Sequence, residues 1–245
     1  MAQCFPLDRL ERISQLEGWH FWFVGRRELI ERLLRKHLGA EAQLILDLGC
    51  GSGLTLETLT RHGHCAVGLD LRPEGLRRAI GRLERASFVQ ADAARLPFKR
   101  DLFGAVTMLD VLEHADDRAL LSEVRKVLRP GGHLLLTVPA MPWLWSYRDE
   151  AAGHLRRYTR RRLRAVLSEA GFRIEEMRYY QFLLFPFVAV ARLLGRRSRA
   201  TRDFEERSIP FLSSLFKGVN KLEARLSDHL SWPWGSSLVV VCRKV

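Results

Sequence analysis

A chain of 245 residues, 47% apolar and 28% charged, has globular composition; it excludes a wholly disordered protein and allows one large domain or one domain with an appendage. With 40 basic and 28 acidic residues the formal charge is +12, which brings nucleic acid, anionic lipid and phosphorylated substrates into consideration as partners. Cys4, Cys50, Cys65 and Cys242 form no CxxC pair, which excludes a zinc ribbon and a disulfide framework and fits a reducing cytoplasm. Asp8, Arg9, Glu11 and Arg12 leave no room for the apolar core of a signal peptide. The longest uncharged apolar run, 182–191, is half of the roughly 20 residues a spanning helix needs. The expected location is cytoplasmic, with peripheral membrane contact left open.

The first 40 residues read as a helical cap. Leu7, Leu10, Ile13 and Leu16 share one face, and Leu29, Ile30, Leu33, Leu34 and Leu38 continue the period up to Gly39. At Leu44 the pattern changes to the short continuous apolar run of a strand buried on both faces. Strands over 65–69, 87–90, 103–109, 133–138 and 172–177 then alternate with helices. The helices span 54–61, 76–83 (entered through Pro73), 117–128 and 159–170 (capped by Thr159 and stopped by Gly171), and a last strand spans 237–242. Such alternation gives an α/β fold, a largely parallel sheet with helices on both faces, over residues 41–245. Residues from about 181 to 235 interrupt it with a helical insertion: the apolar run 182–191, then Arg192, Arg196, Arg197, Arg199 and Arg202, then a helix over 211–230. Thirteen arginines and three acids lie between His154 and Arg202, so most of the surplus charge sits in one fifth of the chain.

The chemistry is carried by Asp47-Leu48-Gly49-Cys50-Gly51-Ser52-Gly53, between a buried strand and a helix. Alternating glycines let the backbone turn sharply and a ligand approach without meeting a Cβ, and the next helix offers unpaired N–H groups. The dinucleotide fingerprint fails because its third glycine comes one residue early, with Leu54 in its place; no lysine follows for a phosphate loop. Those spacings exclude an NAD-type oxidoreductase and an NTPase. Asp70 ends the second strand at the position that bonds ribose hydroxyls, and Asp92 ends the third, where a carboxylate accepts from an exocyclic amine. Adenosine without a pyrophosphate fits this set.

Segment 47–53, Gly68-Leu69-Asp70, Ala91-Asp92-Ala93, the run from Leu109 to His114 and Leu128-Arg129-Pro130-Gly131-Gly132 together resemble class I S-adenosylmethionine-dependent methyltransferases, over roughly residues 27–180 plus the last strand. The resemblance implies a Rossmann-like, seven-stranded, mostly parallel sheet whose last strand inserts antiparallel beside the fifth. It implies S-adenosyl-L-methionine as cofactor, with Gly49, Cys50, Gly51 and Gly53 against its methionine part and Asp47 organising the loop and the amino group. Asp70 then holds the ribose, Leu71 flanks the adenine, Asp92 and Ala93 meet its edge, and Leu109 lines the methyl-bearing end. Cys50 itself reads as a small buried thiol with no base to activate it.

The acceptor is less constrained. His154 and His114 are the candidate bases, with a loop-packing role favoured for His114. Arg157 and Tyr158 beside His154 suit an anionic substrate, and Trp145 follows the fifth strand where the family builds its acceptor pocket. Trp19, Phe21, Trp22 and Phe23, next to Arg26 and Arg27, form a lid over the cofactor or a staple for the first helix. The apolar, arginine-flanked insertion suits an anionic membrane surface; a homodimer interface or a helical cap on the sheet fits it equally. The favoured acceptor is a small lipid-like, polyprenyl or quinone-type molecule; the alternative is RNA or protein bound on the basic 154–202 surface. No metal is expected, because no His, Asp and Glu cluster stands at ligand spacing.

Overall fold

Continuous apolar strands separated by capped helices build one seven-stranded sheet in the computed structural model, which describes residues 6–39, 41–83, 85–195, 210–227 and 229–245. Helices α1 (Leu7–Leu16) and α2 (Phe21–Leu38) come first, and the His20 side chain caps α2 by accepting from Trp22 N. There follow β1 (Leu44–Leu48), α3 (Leu54–Arg61), β2 (Cys65–Asp70), α4 (Pro73–Arg82), β3 (Ala86–Gln90), β4 (Phe103–Leu109) and α5 (Asp117–Val127). The second half holds β5 (Leu128–Pro139), α6 (Tyr147–Ala151), α7 (Arg160–Glu169), β6 (Phe172–Tyr180), α8 (Phe185–Gly195), α9 (Pro210–Leu226) and β7 (Ser237–Lys244). Single 3₁₀ turns lie at Leu112–His114 and Pro142–Leu144.

The strand order is β3-β2-β1-β4-β5-β7-β6, parallel throughout except for β7, which runs antiparallel to both neighbours. This is the α/β, Rossmann-like arrangement expected from the sequence. Successive residues of a strand face opposite sides, and the core divides accordingly. Ile45, Ala105, Leu135 and Val239 pack with Leu29 and Leu33 of α2 and Leu56 and Leu59 of α3. Their neighbours Leu46, Val106, Leu136 and Val240 pack with Leu120 and Val124 of α5 and Leu163 and Leu167 of α7.

β5 starts earlier than the expected 133, because Leu128 already pairs with Phe103 before a bulge lets the ladder resume with His133 opposite Ala105. The insertion folds back onto the N-terminal helices. α2 and α9 cross closely at Gly25, where an added Cβ would lie 2.6 Å from Asn220 Cβ, and Asn220 Nδ2 donates to Phe21 O at 3.0 Å. Buried Glu223 of α9 accepts from the Phe182 and Leu183 amides, each at 2.9 Å, and so anchors the chain entering α8. Arg196, Arg197, Arg199 and Arg202 lie outside the described residues, as does Cys4. Among the described residues no helix is long and apolar enough to cross a membrane.

Candidate active site

β1 ends in a turn that only glycine tolerates at its key points. Gly49 (φ +74°) and Gly51 (φ +51°) adopt left-handed backbone. A Cβ on Gly49 would lie 2.6 Å from Val111 Cγ2, whereas one on Gly51 would meet nothing within 4 Å, which leaves that peptide open to a ligand. The turn is braced by the end of β2. The Gly49 and Cys50 amides donate to Leu69 O at 2.8 and 3.0 Å, and the Gly51 amide donates to Asp70 Oδ2 at 2.8 Å. Asp70 Oδ1 accepts from the Arg72 amide at 2.8 Å, and each oxygen keeps a further lone pair for a hydroxyl.

A cavity of about 1140 Å³ opens along the carboxyl ends of β1, β2, β3 and β4. That exceeds the roughly 300–1,000 Å³ of a typical single-ligand site, so it has room for two reactants. Asp47, Gly49, Cys50, Gly51, Asp70, Leu71, Asp92, Ala93, Leu109, His114, His154 and Arg157 all line it. Gly53 does not; it is the left-handed N-cap of α3, packed on Ala79. Asp47 is buried and accepts from Thr107 Oγ1 at 2.6 Å. Burial pushes its carboxyl up to about 7, against the pull of Thr107 and Arg26. Cys50 is buried, and burial together with Asp47 and Asp70 drives its thiol far up, so it is an inert wall of the loop. Exposed Asp92 accepts from the Ala94 amide at 2.9 Å.

The N-terminal helices close over this loop. Glu17 accepts from Ser52 Oγ and, at 2.7 Å, from Arg82 Nη2. Arg26 donates to Asp110, and His20, Phe21, Trp22 and Phe23 line the cavity, whereas Trp19 donates back to Gln15 O. Asp110 has left-handed backbone at φ +56° and also accepts from Thr137 Oγ1 at 2.9 Å. Sequence reasoning gave Glu17 and Asp110 no role; the signal for Asp110 was its place at the tip of β4, where α/β sheets bind ligands.

On the other side stands Asp149 of α6, another residue the sequence reading passed over. It accepts from the Ser146 amide (2.9 Å), His154 Nδ1 (3.0 Å), Arg157 Nη1 (3.2 Å) and Arg192 Nη1 (3.1 Å). Burial alone would raise its carboxyl, yet His154, Arg157 and Arg192 hold it well below the carboxylate range. Arg157 also donates to Ala140 O and Ser236 O, so it is a buried strut with little left to offer an anion. Burial and the neighbouring Arg192 lower it to about 10. His114 Nδ1 faces Gly153 O at 3.3 Å, and its ring meets His154 edge-on with centroids 4.9 Å apart. Burial, then His154, lowers His114 to about 4, which leaves it neutral at physiological pH.

Two expected substrate residues lie elsewhere. Tyr158 is fully buried in the core, its hydroxyl 3.4 Å from Asp117 Oδ2, because it bridges to Ala140 in extended backbone and must point opposite to Arg157. Trp145 donates to Glu150 Oε1 at 3.3 Å and is not part of the cavity lining; the same segment instead seats α8, with Leu144 against Phe185 and Ala189. The absence of a metal-ligand cluster is also revised: Glu113, His114 and His154, remote in sequence, each place a ligand atom within 4.8 Å of the others.

Comparison with known proteins agrees with this architecture. A protein of Mycolicibacterium smegmatis named "Probable S-adenosylmethionine-dependent methyltransferase" is 27% identical over 179 residues, 72% of this chain and 68% of its own length. The demethylmenaquinone methyltransferase of Mycobacterium tuberculosis (strain H37Rv) is 35% identical over 127 residues, 51% of this chain and only about half (53%) of that protein. Among solved structures, geranyl diphosphate C-methyltransferase from Streptomyces coelicolor, in complex with Mg²⁺, geranyl diphosphate and S-adenosyl-L-homocysteine, shares the fold with a TM-score of 0.62 at 14% identity, covering 88% of this chain and 78% of that one. The profile of the family described as "Methyltransferase domain" matches residues 18–177, well over half of the chain. The chain belongs to that family and is a class I S-adenosylmethionine-dependent methyltransferase.

Proposed function

We propose that the enzyme methylates a small apolar acceptor of the quinone or polyprenyl class, taken up from an anionic membrane surface. One observation carries this reading: α8 borders the cavity on one side and presents an exposed apolar face on the other. Val188 and Arg192 border the cavity, while Phe187 (64% exposed), Val190 (55%) and Leu193 (44%) face outward. Phe187 touches Phe216 of α9, whose Leu215 and Leu222 are also exposed. An outward apolar face on a wall of the cavity suits an acceptor that partitions between lipid and the site. The names of the matched demethylmenaquinone and geranyl diphosphate methyltransferases point to the same class.

The donor end fits the cofactor. S-adenosylmethionine supplies a methyl carbon on a cationic sulfur. Gly49, Cys50 and Gly51 give backbone access to its amino-acid part, and Asp47 is the counterion for its ammonium. Asp70 accepts from ribose hydroxyls, Leu71 flanks the base, and Asp92 and Ala93 meet its edge. Leu109 leads to the acceptor end, where His114 and His154 stand. Holding nucleophile and methyl in line supplies much of the acceleration, since well-oriented intramolecular reactions reach effective molarities of about 10⁵–10⁸ M.

The RNA or protein alternative loses support from the arginines themselves. Arg157 and Arg178 are buried, and Arg156, Arg162 and Arg192 are paired with Asp117 or Asp149, so these five are already engaged within the protein. Flotation with phosphatidylglycerol vesicles tests the proposal. The wild type is expected to float with them, and Phe187→Asp/Val190→Asp to stay behind while binding adenosylhomocysteine normally. Equal flotation of both, or a dimer in sedimentation that the same variant dissociates, would replace the membrane surface with another occupant.

A further inference from the structure

Glu113 is a buried acid of the cavity whose side chain makes no hydrogen bond among the described residues. Its side chain is fully buried and neither carboxylate oxygen has a hydrogen-bond partner. The other cavity acids are answered: Asp47 by Thr107, Asp110 by Arg26 and Thr137, Asp149 by Arg157 and Arg192. Keeping a buried carboxylate ionised without hydrogen bonds costs several kcal/mol as a rule, unless it takes up a proton or a cation stands beside it.

What faces Glu113 is a pair of oriented imidazoles. His154 Nδ1 lies 3.0 Å from Asp149 Oδ1, and His114 Nδ1 lies 3.3 Å from the carbonyl of Gly153. Both neighbours can only accept, so each Nδ1 carries a proton, and in the neutral ring each Nε2 carries the lone pair. His154 Nε2 is 3.8 Å from Glu113 Oε1. A carboxylate or carbonyl behind each imidazole is the outer shell that metal-ligating histidines require. Bonds of roughly 2.0–2.2 Å need ligand atoms about 3.0–3.5 Å apart, so closure asks for side-chain shifts of under about 1 Å from the present separations. Tertiary structure builds the cluster: the Leu155 amide donates to Glu113 O at 2.8 Å, which draws the loop carrying His154 onto the turn carrying Glu113 and His114.

We propose that Glu113, His114 and His154 form a binding site for a divalent first-row transition metal, with an open coordination position facing the acceptor end of the cavity. Two imidazoles and one carboxylate suit Zn²⁺, Co²⁺, Mn²⁺ or Fe²⁺, and not Mg²⁺ or Ca²⁺, which take oxygen ligands. A consequence, which rests on the acceptor reading above, is that an acceptor hydroxyl binds the cation as its oxyanion and gives its proton to solvent. The oxygen lone pair then forms the O–CH₃ bond as the C–S bond breaks toward sulfur, giving a methyl ether and adenosylhomocysteine.

The site is tested without acceptor or turnover. Protein stripped with a chelator and dialysed is titrated with Co²⁺ and followed by visible d–d absorption, then displaced with Zn²⁺. One equivalent is expected to bind. Glu113→Gln and His154→Ala should each weaken binding at least tenfold, and Asp149→Asn, acting through His154, roughly 10–100-fold. Circular dichroism establishes that each variant is folded, and X-ray absorption of the wild-type complex reads the ligand set directly. No Co²⁺ spectrum from folded wild type, sulfur in the coordination shell, or unchanged affinity in Glu113→Gln would each overturn the proposal. The acceptor class is judged separately, by the vesicle experiment.

Discussion

Arg26 on α2 donates a hydrogen bond to the carboxylate of Asp110, the left-handed residue that follows β4. A non-glycine residue in that conformation costs on the order of 1–3 kcal/mol and persists only where its surroundings hold it; here Arg26 and Thr137 hold it. The pair fastens the N-terminal helices over the donor end of the cavity. Arg26→Ala is expected to weaken adenosylhomocysteine binding about tenfold, the equivalent of one charge-assisted hydrogen bond, and calorimetric titration reads it. Unchanged affinity would mean that α2 closes without the pair.

The glycine turn makes a sharper prediction. Gly49→Ala introduces a methyl 2.6 Å from Val111 Cγ2 on a residue at φ +74°, and should destabilise the protein by about 1–3 kcal/mol in urea unfolding. Adding Val111→Ala relieves the clash and leaves the backbone strain, so the double variant should recover part of the loss and not all of it. Full recovery would show that packing alone dictates glycine there.

Burial raises Asp47 to about 7. A carboxyl whose folded value lies above its unfolded 3.8 holds a proton that the unfolded chain has released. Its contribution to stability is complete below about pH 4 and is lost as pH rises toward 7. An ammonium ligand favours the ionised form, so binding of adenosylhomocysteine just below pH 7 should release a proton. Titrations in two buffers of different ionisation heat measure that release, and Asp47→Asn should abolish it along with most of the affinity.

Glu176 behaves oppositely. Burial would raise it, but hydrogen bonds from His37 and Lys36 bring it down to about 2. Lys36 Nζ and His37 Nε2 lie 2.8 and 2.9 Å from its Oε2, and they tie α2 to β6. The stability this contributes is present above about pH 4.5 and is lost as pH falls toward 2. Glu176→Gln should flatten the acid limb of the unfolding curve; an identical limb in both proteins would deny the pair its role.

Legibility followed burial. β4 was readable to its end residues because Phe103–Leu109 is almost wholly buried and its composition says so. The Gly-loop acids were readable because each stands at or just beside the carboxyl end of its strand: Asp47 one residue before the end of β1, Asp70 at the end of β2, Asp92 two residues past β3. α6 was not, although its signal was present: Ser146 and Asp149 form a capping box over five residues, too short for any apolar period. Arg157 and Tyr158 could not both face a substrate, since neighbours in extended backbone point apart, and only the pairing of Tyr158 with Ala140 shows which one enters the core. The Glu113, His114 and His154 cluster depends on a backbone bond between Leu155 and Glu113, a contact that no sequence spacing announces.

Incubation with methyl-labelled S-adenosylmethionine and anionic vesicles carrying a demethylated quinol, the reduced and hydroxyl-bearing form, addresses the whole account at once. Label should move into the organic phase in step with adenosylhomocysteine formation. Cofactor that stays fully labelled while bound to the protein, or label that ends on RNA or polypeptide instead, would contradict it.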